Sequence, residues 1–314
     1  MAEKKPKSAE RRPGRAVRRA LTQPMFRAIV WLLRALATRL PRHRAMAWAE
    51  GAGRLFFRLC PWWRRTAESN LAQAFPEWSP AQVRDCARRV FVNFSKTLME
   101  FLGARRLDEQ TFCQVVRLHG FEAVREAAAD GTGIIYLAAH YDNWEWVGRR
   151  LAMEGMPLTV VARRHGDPKL EALIHETRAA HGLSVSDRDD IRSTLRALKR
   201  GEAIGILPDQ NYMTGGGFVE FFGRPAATAF GPYHLHQRTG AKVFHALSRR
   251  AEDDSHDVYL WPMEVPEPTG DAEVDAKAFM QRAVTDLEAW IREEPSQWLW
   301  IHKRWKTQPE EADA

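Results

Sequence analysis

"GIIYLAAHYDNWEW", residues 133–146, joins two textures. The first seven residues form an apolar run that reads as a strand, and His140 closes it. Asp142 or Asn143 can then cap a helix that continues from Trp144. His140 and Glu145 lie five positions apart. On one continuous helix such residues point about 140° from each other. They converge only if the histidine precedes the helix and the glutamate sits in its first turn, where the helix dipole favours a carboxylate. This arrangement makes His140 a candidate general base and Glu145 the acid that orients it. The alternative is a strand-closing histidine satisfied by backbone groups. With 11 His and 40 acidic residues in the chain, chance alone predicts roughly one or two H-x4-[DE] pairs, so the surroundings must decide.

Outward from this stretch, short β-rich runs alternate with helical ones. Strands are expected near 133–138, 157–162, 203–207, 218–222, 242–248 and 257–263. Helices are expected near 121–129, 143–154, 168–181, 189–200, 228–239 and 274–292. The alternation predicts an α/β fold with a mixed, largely parallel central sheet flanked by helices. Ligand sites in such sheets lie at the carboxyl ends of strands. Both His140 and Asp209 fall just past such an end. No GxSxG elbow, P-loop or GxGxxG occurs.

The N-terminal part has a different character. Residues 1–20 hold eight Lys/Arg and two Glu, which accounts for six of the seven net positive charges. The chain is therefore a neutral body with a basic arm, suited to an anionic membrane surface or to nucleic acid. In FRAIVWLLRALATRL (26–40), Phe26, Ile29, Leu33, Leu36 and Leu40 recur at helical steps. Fifteen helical residues span about 22 Å, short of the ~30 Å hydrocarbon core, and Arg34 interrupts the stretch. An interfacial amphipathic helix fits better than a spanning one or a cleaved leader. Twelve tryptophans, among them Trp62-Trp63 next to Arg64-Arg65, suit a membrane interface. Ser79 before Pro80 reads as the N-cap of a long helix to about 103. The expected division is a basic arm at 1–24, a helical membrane-associated region at 25–115, an α/β domain at 116–307 and a tail at 308–314. Three scattered cysteines argue against a disulfide framework, and no His/Cys spacing suggests a metal.

Several motifs in order complete the picture: ESNLAQAFPEWS (68–79), HYDNWEW (140–146), VVARRHGDPKL (160–170), LPDQN (207–211), GGFVEFFGRPAAT (216–228) and WLWIHKRWKT (298–307). In these the chain resembles the lipid A late acyltransferase family over most of residues 65–307, and shares a His/acid core with the glycerolipid acyltransferases. Tyr141-Asp142 replaces the family's Phe-Gly, and Glu220 stands where a proline is common. Asp142 adds a second carboxylate beside the base. The resemblance implies a membrane-associated acyltransferase at the cytoplasmic face of the inner membrane. It would move a fatty acyl chain from an acyl carrier protein or acyl-CoA thioester to a hydroxyl of a lipid A-type glycolipid.

On this reading His140 and Glu145 are catalytic, and Arg163, Asp209, Gln210, Asn143 and Arg164 bind substrate. Arg163 would serve the oxyanion or the phosphopantetheine, and Asp209 would order the pocket or hold Arg163. Arg149-Arg150 or Arg163-Arg164 would dock the acidic carrier. His302, Arg304 and Lys306 alternate along a strand-like end that would meet acidic head groups. No cofactor, metal or nucleic acid is implied. Transfer to a phospholipid, an aminolipid or another glycolipid, or hydrolysis of the thioester, remain alternatives.

Overall fold

The computed structural model describes residues 28–103 and 106–309; the basic arm, Phe26 and the end of the tail lie outside the described residues. A seven-stranded sheet forms the centre. Its spatial order is β1 (Val116–His119), β9 (His256–Pro262), β8 (Lys242–Arg250), β2 (Ile134–Leu137), β5 (Ala203–Ile206), β3 (Leu158–Ala162) and β4 (Leu183–Asp187). Every neighbouring pair is parallel except β8 with β9. The mixed, largely parallel α/β sheet expected from the alternation is present.

The edge strands β1 and β4, VRLH and LSVSD, were not legible in the sequence. Each is short, half exposed and interrupted by polar residues, so neither carries a continuous apolar run. The helix expected from 228 begins only at Gly231, because Arg224–Ala229 (β7) pairs antiparallel with Gly216–Phe221 (β6) in a separate hairpin.

The pleat divides the core. Along β2 all four side chains are buried. Ile135 and Leu137 face one core, with α3 (Pro61–Ala74), α4 (Pro80–Leu102), α10 (Gly231–Thr239) and α11 (Ala272–Glu293). Ile134 and Tyr136 face the other, with α5 (Glu109–Val115), α6 (Phe121–Ala128) and α7 (Trp144–Ala152). The crossover helices α8 (Pro168–Ala180) and α9 (Ile191–Lys199) flank the β4 side. Ala67, Leu71 and Phe91 of the N-terminal helices share a core with Trp298 and Trp300 near the C-terminus, so that core joins both ends of the chain.

Among those helices, α4 starts where Ser79 predicts. Its hydroxyl accepts from the Gln82 backbone while the Gln82 side chain takes the Ser79 N–H, a reciprocal cap. Residues 28–39 are helical (α1), but the buried stripe is Val30 and Ala37, with Leu33 and Leu40 packed beside them. Ile29, read with Leu33 and Leu40 as one apolar face, is 47% exposed beside Trp31 and Leu32. The stripe shifts because α1 meets a helical neighbour: Ala37 lies against Gly103 at the end of α4.

The crossing of α2 (Arg42–Leu59) over α4 depends on Gly53. A Cβ there would stand 2.6 Å from Val92 Cα and 2.8 Å from the Phe91 carbonyl, both backbone atoms that cannot rotate away. Gly53→Ala is therefore expected to lower stability by about 1–3 kcal/mol through overpacking. Gly51→Ala, two residues away in open space, should raise it by roughly 0.5–1 kcal/mol through helix propensity. Urea denaturation of both variants measures the contrast.

Candidate active site

β2 and β5 pair in parallel with Leu137 opposite Ile206. Three residues beyond each lie His140 and Asp209, so the sheet delivers both to one point at its carboxyl edge. His140 Nδ1 is 2.8 Å from Asp209 Oδ1, and the His140 backbone N–H donates to Oδ2 at 2.8 Å. Trp298 Nε1–H donates to the same Oδ2 at 2.9 Å. Burial by itself would raise the Asp209 pKa, but the charge interaction and hydrogen bonds with His140 and the bond from Trp298 hold it below its ordinary value. An ionised Asp209 accepts from Nδ1–H, leaving Nε2 of His140 with a free lone pair. The ring packs edge-on against Trp144, 4.9 Å between centroids, and its side chain remains 23% exposed.

The acid on His140 is therefore Asp209 and not Glu145. Glu145 does sit in the first turn of α7, but both its oxygens go to Arg178 of α8, at 3.1 Å from Nε and 2.7 Å from Nη2. The turn of the helix carries Glu145 toward α8 while His140 turns toward β5. Asp209, expected to bind substrate or hold Arg163, has its oxygens occupied and is 2% exposed. Asn143 is fully buried: Oδ1 caps α7 on Trp146 N and Nδ2 donates to Glu100 Oε2 at 2.9 Å. It supports the loop from within the protein.

Asp142 turns away from His140 altogether. With a left-handed φ of 46° it points into a sealed ionic layer behind the loop. There it meets His256 Nδ1 at 2.7 Å and Arg250 at 3.4 Å, and Glu100 binds Arg250 at 2.7 Å and His256 at 3.2 Å. The Thr97 hydroxyl donates to the Asp142 carbonyl at 2.9 Å. Burial opposes charge at each of these sites. At Glu100, Arg250 and His256 outweigh it and the pKa is lowered. At His256, the Asp142 and Glu100 carboxylates outweigh it and the pKa is raised.

A cavity of about 1050 Å³ opens in front of His140. Glu145, Arg163, Arg164, Gln210 and His302 line it, and Val160, Leu183, Val185 and Ile174 supply apolar wall. Arg163 is exposed at its edge, and Arg164 pairs with Asp187 at 2.9 Å. The Arg149-Arg150 pair is not an open basic patch: Arg149 is buried and donates to the Leu107 carbonyl, and Arg150 donates to the Val116 carbonyl and pairs with Glu154. The 298–307 end is a turn and not a strand. Its Arg304 is 1% exposed and donates to Ala227 O and Thr228 Oγ1, both at 2.6 Å. Arg178, Trp298 and the full use of Asp209 were missed. They act across 33 to 89 residues of sequence, and no local pattern announces them.

An imidazole with a free Nε2, an ionised partner and a large, mostly apolar groove are the parts of a general-base transferase or hydrolase. Comparison with known proteins settles the class. Residues 14–307 match the model of the bacterial lipid A biosynthesis acyltransferases, and the chain belongs to that family and is an acyltransferase. It is 30% identical over 263 residues to the lipid A biosynthesis lauroyltransferase of Escherichia coli (strain K12), covering 83% of this chain and 84% of that protein. The palmitoleoyltransferase of the same organism is 27% identical over 246 residues, 77% and 78% of the two chains. Its myristoyltransferase is 24% identical over 258 residues, 81% and 79%.

The ionic layer makes a direct prediction. Glu100→Gln removes one of the two carboxylates that Arg250 and His256 share in a sealed site and should cost about 3–5 kcal/mol. A carboxylate with lowered pKa contributes stability above its unfolded pKa and loses it as pH falls through the folded value. Wild-type stability should therefore drop steeply below about pH 4, and the drop should be shallower in Glu100→Gln. Urea midpoints recorded from pH 7 to 3 test this.

Proposed function

We propose that this acyltransferase works at a membrane surface. It moves a fatty acyl chain from a thioester of acyl carrier protein to a hydroxyl of a lipid A-type glycolipid, at the cytoplasmic face of the inner membrane. The carrying observation is the His140–Asp209 pair, with His140 lining a groove of about 1050 Å³. A lipid hydroxyl cannot ionise near neutral pH, so Nε2 of His140 takes its proton as the oxygen attacks the thioester carbon. The carbonyl π pair moves to its oxygen, then returns to expel the thiolate, and the imidazolium hands its proton to that sulfur. Asp209 stays ionised, fixes the Nδ1–H tautomer and stabilises the imidazolium.

The apolar wall of the groove accommodates the chain. Arg163 and Gln210 face the donor's phosphopantetheine or the acceptor head group, and Arg163 with Arg164 forms the basic edge suited to an acidic carrier. The Glu145–Arg178 pair forms part of the groove wall.

The family relationship supports the acceptor class, since the relatives are named for lipid A biosynthesis. The surface of the N-terminal helices supports the membrane. Trp31, Leu32, Trp48, Leu55, Leu59, Trp62 and Trp63 are exposed there, with Leu59 at 68% and Trp62 at 69%. The exposed Arg39, Arg44, Arg54, Arg58 and Arg65 lie among them in sequence. Tryptophan and arginine together suit the headgroup layer. Among the described residues no helix is long and apolar enough to cross a membrane, in keeping with attachment through this face.

Two experiments test the reading. With a dodecanoyl-acyl carrier protein donor and a lipid A precursor acceptor, His140→Ala should lose about 10²–10⁴ in kcat. Asp209→Asn should lose a similar factor and shift the pH profile of kcat, whereas Glu145→Gln should slow turnover without moving the profile. Equal profiles in the two variants would contradict Asp209 as the orienting acid. Separately, joint replacement of Trp62 and Trp63 by Ala should weaken sedimentation with anionic phospholipid vesicles by roughly tenfold or more, while the melting temperature stays within a few degrees of wild type.

A further inference from the structure

His302 lines the same groove as His140, and the two rings are held on one frame. The Leu299 backbone N–H donates to the His140 carbonyl at 2.9 Å, and Trp298 shares the carboxylate that holds His140. From α3, Asn70 Nδ2 donates to the carbonyls of Trp300 and His302, both at 2.7 Å. These bonds hold the backbone of the turn that carries the His302 ring.

Its tautomer follows from one contact. The Asn211 backbone N–H points at His302 Nε2, 2.9 Å away. A backbone N–H can only donate, so Nε2 carries the lone pair and the proton of a neutral ring sits on Nδ1. Burial pushes the His302 pKa down to about 4; nearby Asp209 works the other way, and His140, Arg304 and Lys306 add to the lowering. At neutral pH the ring is therefore uncharged. No described protein group takes Nδ1, and it is not among the sealed polar atoms that lack a partner. The groove thus holds two imidazoles in opposite tautomers: His140 offers a lone pair, and His302 offers an N–H.

Building on the acyl-transfer reading above, we propose that His302 is a second catalytic imidazole, whose Nδ1–H binds the thioester carbonyl oxygen as negative charge builds on it while His140 removes the acceptor's proton. A fixed neutral donor suits this place. It stabilises developing charge without reorganising, and it adds no positive charge that would make His140 a weaker base. The balance of the step is unchanged. The acceptor O–C bond forms, the C–S bond breaks, and the proton travels from hydroxyl to His140 to sulfur, while His302 keeps its own proton throughout.

Two variants separate this role from a structural one. In His302→Gln the side-chain oxygen reaches the Nε2 position and keeps the Asn211 contact, but nothing donates from the Nδ1 position. In His302→Asn the amide stands near the Nδ1 position and the Asn211 contact is lost. With the dodecanoyl-acyl carrier protein and lipid A precursor assay, Gln should lower kcat by about 10²–10³ with KM within threefold and an unchanged melting temperature. Asn should retain more of the rate, whatever it loses in stability. ¹⁵N-histidine NMR of the wild-type protein should show His302 neutral and protonated on Nδ1 from pH 8 down to pH 6. A Gln variant as fast as wild type, the reverse ranking of the two variants, or a ring that is charged or protonated on Nε2 at neutral pH overturns the role. A wild type that turns over no thioester at all sinks the acyl-transfer reading, and this role with it; turnover with an indifferent Gln variant sinks this role alone.

Discussion

One buried carboxylate organises the carboxyl edge of the central sheet. Asp209 is 2% exposed and charged. A lone carboxylate in such a place would be untenable, because loss of hydration costs several kcal/mol and must be matched by hydrogen bonds. The bonds come from three donors on two segments: the His140 backbone, the His140 ring and the Trp298 indole. The need to satisfy Asp209 therefore joins the end of β5 to the end of β2 and to the C-terminal turn. The same bonds set the ring orientation and tautomer of His140, so the group that must be satisfied for stability also fixes the imidazole.

Behind this edge lies a second polar layer, sealed from solvent. Glu100, Arg250, His256 and Asp142 are all buried, and they tie α4, β8 and β9 to the loop that carries His140. Such a layer adds little net stability compared with an apolar core, but it tolerates few alternative packings. It holds Asp142 in a left-handed conformation and keeps that carboxylate facing away from the base. Asp142, which looks in the sequence like a second acid next to His140, is thereby electrostatically committed elsewhere. Asn143 links this layer to the cap of α7, so the loop is held from its polar rear while its front stays open to the groove.

The N-terminal helices connect the surface to the site. α3 carries exposed Trp62 and Trp63 at its start and buried Asn70 near its end, and Asn70 grips the turn that bears His302. Lys303, next to His302, lies over the Trp62 ring at 5.0 Å. A helix with exposed tryptophans at one end thus positions part of the groove at the other.

Local chemistry determined a good deal by itself. The β2 apolar run, the Ser79 cap, the strand–helix alternation and the placing of His140 at a strand's carboxyl end all rest on neighbours within a few residues, where spacing and propensity act directly. Only the tertiary structure decided which acid serves His140. Glu145 is five residues away and Asp209 is 69 away. Parallel pairing of β2 with β5 brings the distant one into contact, while the first turn of α7 carries the near one toward Arg178. The edge strands, the burial of Arg149 and Arg304, and the tautomer of His302 were illegible for the same reason. Each depends on a partner that the chain supplies from far along its length, and no periodicity records that meeting.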